Sequence, residues 1–331
     1  MIMSVLKEIW DNIPEGYKIA ITIFGLLFPI FVWLQYLYHR RKDKKLNTER
    51  HQELLQQIKL IQPKDASESL KEEIRTENEI IINPTTADDF LLKAYAAQID
   101  EKYDETIRYS QKAIDLKPDF AEAYFTMGLA YDSKGKYDEA IQYYKKAISF
   151  KPNFAEAYGN MGNAYQLKND SAKAIEYFRK VIDLNPDDEM AYSNMGFAFY
   201  NIGSYDKAIQ CYEKAIELNP GFEKAYYGYA RAYNEMGNVY YEKGNSDEAI
   251  RCYKEAIKLK LDYETPYYNI GNIYLNQGNY NKAIQHYKKA VDLKPNFADA
   301  YSNVGVAYQA LGNQEMASYC FKKASMIRNN G

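Results

Sequence analysis

Two patterns of apolar and polar positions divide this chain. From Ile19 to Tyr38, twenty residues run without a charge, and only Thr22 and Gln35 are strongly polar. At 1.5 Å per residue such a helix spans roughly 30 Å, the hydrocarbon thickness of a bilayer. Pro29 falls mid-span, where a membrane helix tolerates a kink. Trp33, Tyr36 and Tyr38 gather toward one end, as interfacial aromatic residues do. Arg40, Arg41, Lys42, Lys44 and Lys45 follow, against only Lys7 and Lys18 before the span. The positive-inside rule therefore predicts a single-pass anchor with residues 1–18 outside and the rest of the chain in the cytoplasm. A cleaved signal peptide would carry its basic residues first and a small-x-small site afterwards, and neither is present. The run Arg40–Lys45 is either a topology signal alone or also a contact for anionic lipid head groups.

Residues 39–86 read as a basic juxtamembrane segment and a helical stalk. Leu54, Ile58 and Ile61 follow a 4-3 spacing, too short to make a coiled coil. Pro63 ends that stretch. Ser69 with Glu72 forms the pattern of a capping box for a further helix toward Ile82, which Asn83-Pro84 breaks.

The second pattern is a repeat of 34 residues. Pro118, Pro152, Pro186 and Pro220 are each 34 apart, and Pro295 returns to step after one irregular unit. The same register aligns Gly128, Gly162, Gly196, Gly237, Gly271 and Gly305, and also Ala140, Ala174, Ala208, Ala249, Ala283 and Ala317. Each unit predicts two helices. In the unit from Ala121, the first helix breaks at Gly135, and the second carries Asp138-Glu139-Ala140-Ile141 and stops before Pro152. Small residues at fixed sites let helices approach closely, and the aligned Tyr131, Tyr165, Phe199, Tyr240, Tyr274 and Tyr308 fill space beside them.

Residues 121–154, AEAYFTMGLAYDSKGKYDEAIQYYKKAISFKPNF, resemble a tetratricopeptide repeat, and the resemblance extends over 87–331. It divides that region into units 87–120, 121–154, 155–188, 189–222, 223–263, 264–297 and 298–331. The pentatricopeptide pattern, an RNA reader, has a period of 35 and a basic balance, and fits neither way. The resemblance implies an all-α fold: a right-handed α-solenoid of seven helix-turn-helix repeats with a concave groove, here preceded by one transmembrane helix. Each repeat buries its apolar face only against its neighbours.

Three units depart from the pattern. The first has Lys93, Ala94 and Ala97 where later units mostly have Met, Gly and Tyr, and the chain before Pro84 is expected to cap it. The fifth has 41 residues, and the seven extra, close to two helical turns, predict a lengthened first helix with a protruding end. The seventh has Ser318 and Ser325 where the others have Ile or Val. That is the polar face a terminal repeat needs, and it points to Gly331 as a natural end.

Composition narrows the function. The 331 residues are 47% hydrophobic and 26% charged, which excludes wholesale disorder. Lys+Arg 42 against Asp+Glu 45 gives a net charge of −3, which argues against a nucleic-acid partner. No GxGxxG, GxxxxGK[ST], HExxH or GxSxG occurs, and the expectation is a non-enzyme without cofactor or metal. Cys211, Cys252, His286 and Cys320 share one repeat position, filled earlier by Tyr109, Tyr143 and Tyr177. Helices of successive repeats stand roughly 8–10 Å apart, too far to converge on one ion, so these are packing positions.

The groove carries the candidate binding residues. Asn160, Asn194, Asn269 and Asn303 share one site on the first helix, and Asn163, Asn238 and Asn272 share a second, three residues on. The resemblance puts that face on the concave surface. Amides donate and accept, so this ladder either holds the backbone of an extended peptide or simply follows the family's consensus. Phe125, Phe197, Tyr200, Tyr227 and Tyr268 are the candidate side-chain pockets. Co-chaperone members clamp a C-terminal carboxylate with lysines, but the matching sites here are Leu91, Phe125, Gly159 and Ser193, so that ligand is not expected. Mitochondrial outer-membrane import receptors and a bacterial lipopolysaccharide-assembly regulator share only the layout of anchor and repeats. The expected function is a membrane-anchored scaffold recruiting a protein or peptide partner. The alternatives are a self-assembling structural protein on the membrane and a non-catalytic regulatory subunit of an enzyme.

Overall fold

The structure, a computed structural model, describes residues 52–57, 67–80 and 84–329. Among them are fifteen helices of thirteen residues or more and no strand. They fall into two units, Met1–Leu116 and Lys117–Gly331. Among the described residues no helix is long and apolar enough to cross a membrane. The expected span Ile19–Tyr38 and the basic run Arg40–Lys45 lie outside the described residues.

The first unit contains α1 (Glu68–Ile80), α2 (Ala87–Ile99) and α3 (Tyr103–Leu116). The capping box expected at Ser69–Glu72 does not form. Helix α1 begins two residues earlier, because the Ser67 hydroxyl accepts the backbone N–H of Leu70 at 3.2 Å. A complete box stands instead at Thr86 and Asp89, where side chain and backbone exchange bonds in both directions and start α2. The irregular residues of α2 have local reasons. Lys93 donates to the Asn78 carbonyl and side chain in α1, and Ala94 and Ala97 are buried where α1 and α3 crowd the helix. Arg75 of α1 pairs with Asp100, just past the end of α2, at 3.1 Å.

The second unit is six helix pairs: α4 (Ala121–Ser133) with α5 (Tyr137–Phe150), α6 (Ala155–Leu167) with α7 (Ser171–Leu184), α8 (Glu189–Asn201) with α9 (Tyr205–Leu218), α10 (Glu223–Glu242) with α11 (Ser246–Leu259), α12 (Glu264–Asn276) with α13 (Tyr280–Leu293), and α14 (Ala298–Ala310) with α15 (Gln314–Asn329). The turn inside a pair needs one residue at positive φ. Gly135 supplies it at 71°, and Asn169, whose short polar side chain tolerates that region, at 59°. Each pair packs on the next, and first helices touch first helices at α6–α8, α8–α10 and α12–α14, which places them on the inner side.

One contact repeats through the unit. Tyr144, Phe178, Tyr253, Tyr287 and Phe321 each lay a ring edge on the glycine of their own pair, at Gly128, Gly162, Gly237, Gly271 and Gly305. A Cβ built on any of these glycines would stand 2.5–2.7 Å from a ring carbon. The aligned glycines therefore exist to admit a ring; Tyr144, Phe178, Tyr253 and Tyr287 are buried at the centre of their pairs, while Phe321 of the last pair is 37% exposed. At Gly196 the fit to Tyr212 is looser, at 3.1 Å.

Helix α10 has twenty residues where the other first helices have thirteen. The added turns do not protrude. Buried positions run from Ala225 to Gly237, because seven residues advance a helix by almost two whole turns and return the same face to the core. Both ends are gripped: Gly237 holds the ring of Tyr253, and Gly228 holds Tyr212 of the preceding pair. At the far end of the unit Ser318 and Ser325 are exposed, as expected, but so are Tyr319 and Met326, at 60% and 61%.

Candidate functional site: a cleft across three first helices

The asparagines of the inner face bond mainly to one another and to tyrosines. Asn303 Nδ2 donates to Asn272 Oδ1 at 3.0 Å and to the Tyr287 hydroxyl at 3.3 Å, and Tyr287 itself donates to Asn272 at 2.7 Å. One pair earlier, Asn269 donates to Asn238 at 3.2 Å and to Asn234 at 3.1 Å, while Tyr253 donates to Asn238 at 2.7 Å. Asn194 reaches Asn163 at 3.5 Å, the weakest of the set, since Phe178 carries no hydroxyl to join it. The bonds Asn194–Asn163, Asn269–Asn238 and Asn303–Asn272 each join residues 31 apart, from the first helix of one pair to that of the next. The ladder read as a peptide grip is, in the folded chain, a row of staples between repeats.

Two junctions lack the staple. Leu129 stands where an asparagine would accept from Asn160, so Asn160 Nδ2 and the Tyr144 hydroxyl are both buried without a partner. Asn160 is 4% exposed and offers nothing to a ligand. At the other junction both members are replaced: Phe197 occupies the acceptor site and Gly228 the donor site.

There the inner face opens into a cleft of about 490 Å³ walled by α6, α8 and α10, with Tyr212 of α9 at its base. Its cause is a missing ring. At one position of the first helix Phe125 packs on Tyr144 and Phe154, at centroid distances of 5.7 and 4.8 Å, and Tyr268 packs likewise on Tyr287 and Phe297, at 5.6 and 4.8 Å. The same position is Gly159 in α6 and Ser193 in α8, and the space a ring would fill is left open. Phe125, expected as a pocket residue, is thus 2% exposed and belongs to the core. Tyr268 is half-buried in the equivalent packing.

Of the residues expected to bind, the cleft brings together Asn163, Asn194, Phe197, Tyr200 and Tyr227. It leaves out Asn160, Asn238, Asn269, Asn272, Asn303, Phe125 and Tyr268. Phe197 and Tyr227 are 41% and 46% exposed. Two further lining residues, Arg231 and Lys224, both on α10, were not among the expected ones. The Arg231 guanidinium stacks 4.7 Å over the Tyr200 ring and 5.7 Å from that of Tyr227, and donates to the Tyr200 hydroxyl at 3.0 Å. Burial works against its charge. The phenol oxygens of Tyr200 and Tyr227 more than offset that, leaving its pKa above the ordinary arginine value.

The Cys/His stripe lies elsewhere, on the second helices, and is packed as its tyrosine counterparts are. Tyr143 and Tyr177 stack on Tyr131 and Tyr165 at interplanar angles of 6° and 3°, and His286 stacks on Tyr274 at 5.6 Å. Burial pushes the Cys211 and Cys252 thiols up to about 11, and burial followed by Lys254 and Lys282 pushes the His286 pKa down. Among the described residues no three His, Cys, Asp or Glu side chains are grouped to hold a metal ion.

Tetratricopeptide repeat family models match residues 121–154, 155–188, 187–262 and 298–330, and a TPR repeat model matches 271–312. No curated protein matches the chain. Among solved structures, the APC/C hetero-tetramer Cut9–Hcn1 is similar at 20% identity and a TM-score of 0.41, over 72% of this chain and 46% of that one. The chain thus spans under half the length of that relative. Two crystal structures of MamA are similar at 27% and 26% identity. Their TM-scores are 0.29 and 0.31, over 62% and 64% of this chain and 95% and 93% of theirs.

Proposed function

Since the chain belongs to the tetratricopeptide repeat family, we propose that it is an interaction scaffold whose inner cleft, at Asn163, Asn194, Phe197, Tyr200 and Tyr227, holds a segment of a partner protein. The observation that carries this is the exposure of Phe197 and Tyr227 beside a half-buried arginine, at the junction where the repeat's own ring and amide staple are both replaced. A surface kept apolar and open between otherwise closed repeats is the ordinary mark of a recognition site. We further propose that Ile19–Tyr38 anchors this scaffold in a membrane with the repeats in the cytoplasm. The supports are the uncharged span and the basic residues after it, which also suit anionic lipid at Arg40–Lys45.

Photo-crosslinking tests the cleft. A photoreactive phenylalanine at position 197 of the full chain, expressed in its own cells, is expected to yield a defined adduct that disappears when Ser193→Phe restores the missing ring. The same adduct formed equally from position 180, exposed on α7, and unaffected by Ser193→Phe would sink this reading. Protease accessibility in sealed vesicles tests the topology: repeats protected on the cytoplasmic face support it, and release of the full chain by alkaline carbonate removes the anchor.

A second function, self-assembly, has one observation of its own: α15 exposes Tyr319 and Met326 on the face beyond which no further pair is described. Oligomers dispersed by Tyr319→Lys with Met326→Lys would favour it.

A further inference from the structure

The charge inside the cleft says more about its occupant than the rings alone. Arg231 is half-buried and makes one hydrogen bond, to the Tyr200 hydroxyl, though a guanidinium carries five donors. Neither it nor Lys224 has an ion-pair partner among the described residues. The nearest acid along the helix, Glu235, is taken up by Asn234 and Asn238. No carboxylate lines the cleft, in a chain whose acids outnumber its bases. A cation partly stripped of water, over the rings of Tyr200 and Tyr227, with donors beyond its one hydrogen bond, suits a carboxylate.

Resting on the cleft reading above, we propose that the occupant is an internal segment of a partner protein in which a large aromatic or apolar side chain is followed closely by acidic residues. The apolar side chain enters between Phe197 and Tyr227, over the gap at Ser193, and a following carboxylate is bound side-on by Arg231 with Lys224 beside it. An internal segment rather than a chain end is favoured because the site is not closed. Lys224 and Tyr227 also border a second, more open hollow of about 880 Å³ along the loop after α11, which gives the chain a way out.

The test is a titration of the purified full chain with a fluorescein-labelled, C-terminally amidated peptide, Ser-Gly-Ser-Phe-Asp-Glu-Asp-Ser-Gly-Ser. Three companions complete it: Phe replaced by Ala, the acids replaced by Asn and Gln, and a version ending at the last acid with a free carboxylate. The parent is expected to bind, with the Ala and amide versions each weaker by about tenfold or more. Arg231→Gln should remove the difference between acidic and amide peptides, and Arg231→Lys should keep part of it. Should Arg231→Gln fold poorly, the wild-type chain still decides the point, since raising salt must weaken the acidic peptide and not the amide one. If the amide peptide binds as tightly as the parent and Ser193→Phe still abolishes both, the cleft binds peptide but the acid preference is wrong. If the free-carboxylate version binds about tenfold tighter than the parent, the occupant is a chain end and the proposal falls. If nothing binds, or Ser193→Phe changes nothing, the cleft reading falls with it.

Discussion

Asn303 gives its amide N–H to Asn272, 31 residues earlier, at 3.0 Å, and both share the hydroxyl of Tyr287. Three side chains from two repeats thus satisfy one another at the inner face. Asn303→Ala should therefore remove the donor that both Asn272 and Tyr287 share and, at about 0.5–1.5 kcal/mol for each of the two bonds, cost about 1–3 kcal/mol in chemical denaturation. Asn160→Ala, at the equivalent site, should cost at least 1 kcal/mol less, roughly, because that amide nitrogen has no partner to lose. Equal losses would mean the staple contributes nothing.

Glycines that look alike in sequence should part in behaviour. Gly271→Ala would drive a methyl to 2.6 Å from the Tyr287 ring, and over-packing of this kind costs about 1–3 kcal/mol. Gly159→Ala meets only Val181, at 3.8 Å, inside α6, so the gain in helix propensity should stabilise by about 0.5–1 kcal/mol. Melting temperatures of the two variants decide it.

His286 makes stability depend on pH. Its pKa is lowered by burial and by Lys254 and Lys282, so the folded chain binds this proton less readily than the unfolded one. The stability it contributes is present above the unfolded value, about 6.5, and is lost as pH falls through the lower folded value. His286→Tyr, the residue at the matching sites 143 and 177, should flatten the loss that sets in below about pH 6.5. An unchanged slope would show that other groups carry it.

With thiols at about 11 for Cys211 and Cys252, an aromatic disulfide reagent at pH 8 should label the native chain at the rate of its opening. Labelling should become rapid only in denaturant. Fast labelling of the folded chain would place a thiolate at the surface.

The repeats were legible because their signal is summed over many aligned positions. Pro152, Gly162 and Ala174 each recur in step, and helix bounds followed within a residue or two. The lengthened α10 was legible too, but not its packing. Whether seven residues protrude or stay in the core depends on Gly228 finding Tyr212, a contact to the preceding pair that no local pattern announces. Only five of the twelve candidate binding residues come together in the cleft, for a related reason. Alignment shows which side chains face inward but not which are consumed there, and Asn272 and Asn303 are spent on each other. Phe125 and Ser193 share a column, and the open position is the one where the ring is missing.

The missing pair at Phe197 and Gly228 bears on cooperativity. A linear array of repeats holds together through its nearest-neighbour couplings, and it partitions at the weakest of them. The junctions of α4 with α6 and of α8 with α10 both forgo the amide bond, and at the second of them the ring of Tyr212 on Gly228 is left to couple the pairs. An occupant of the cleft touches both sides of that junction. It would add to that coupling, and the array on either side would then melt more nearly as one.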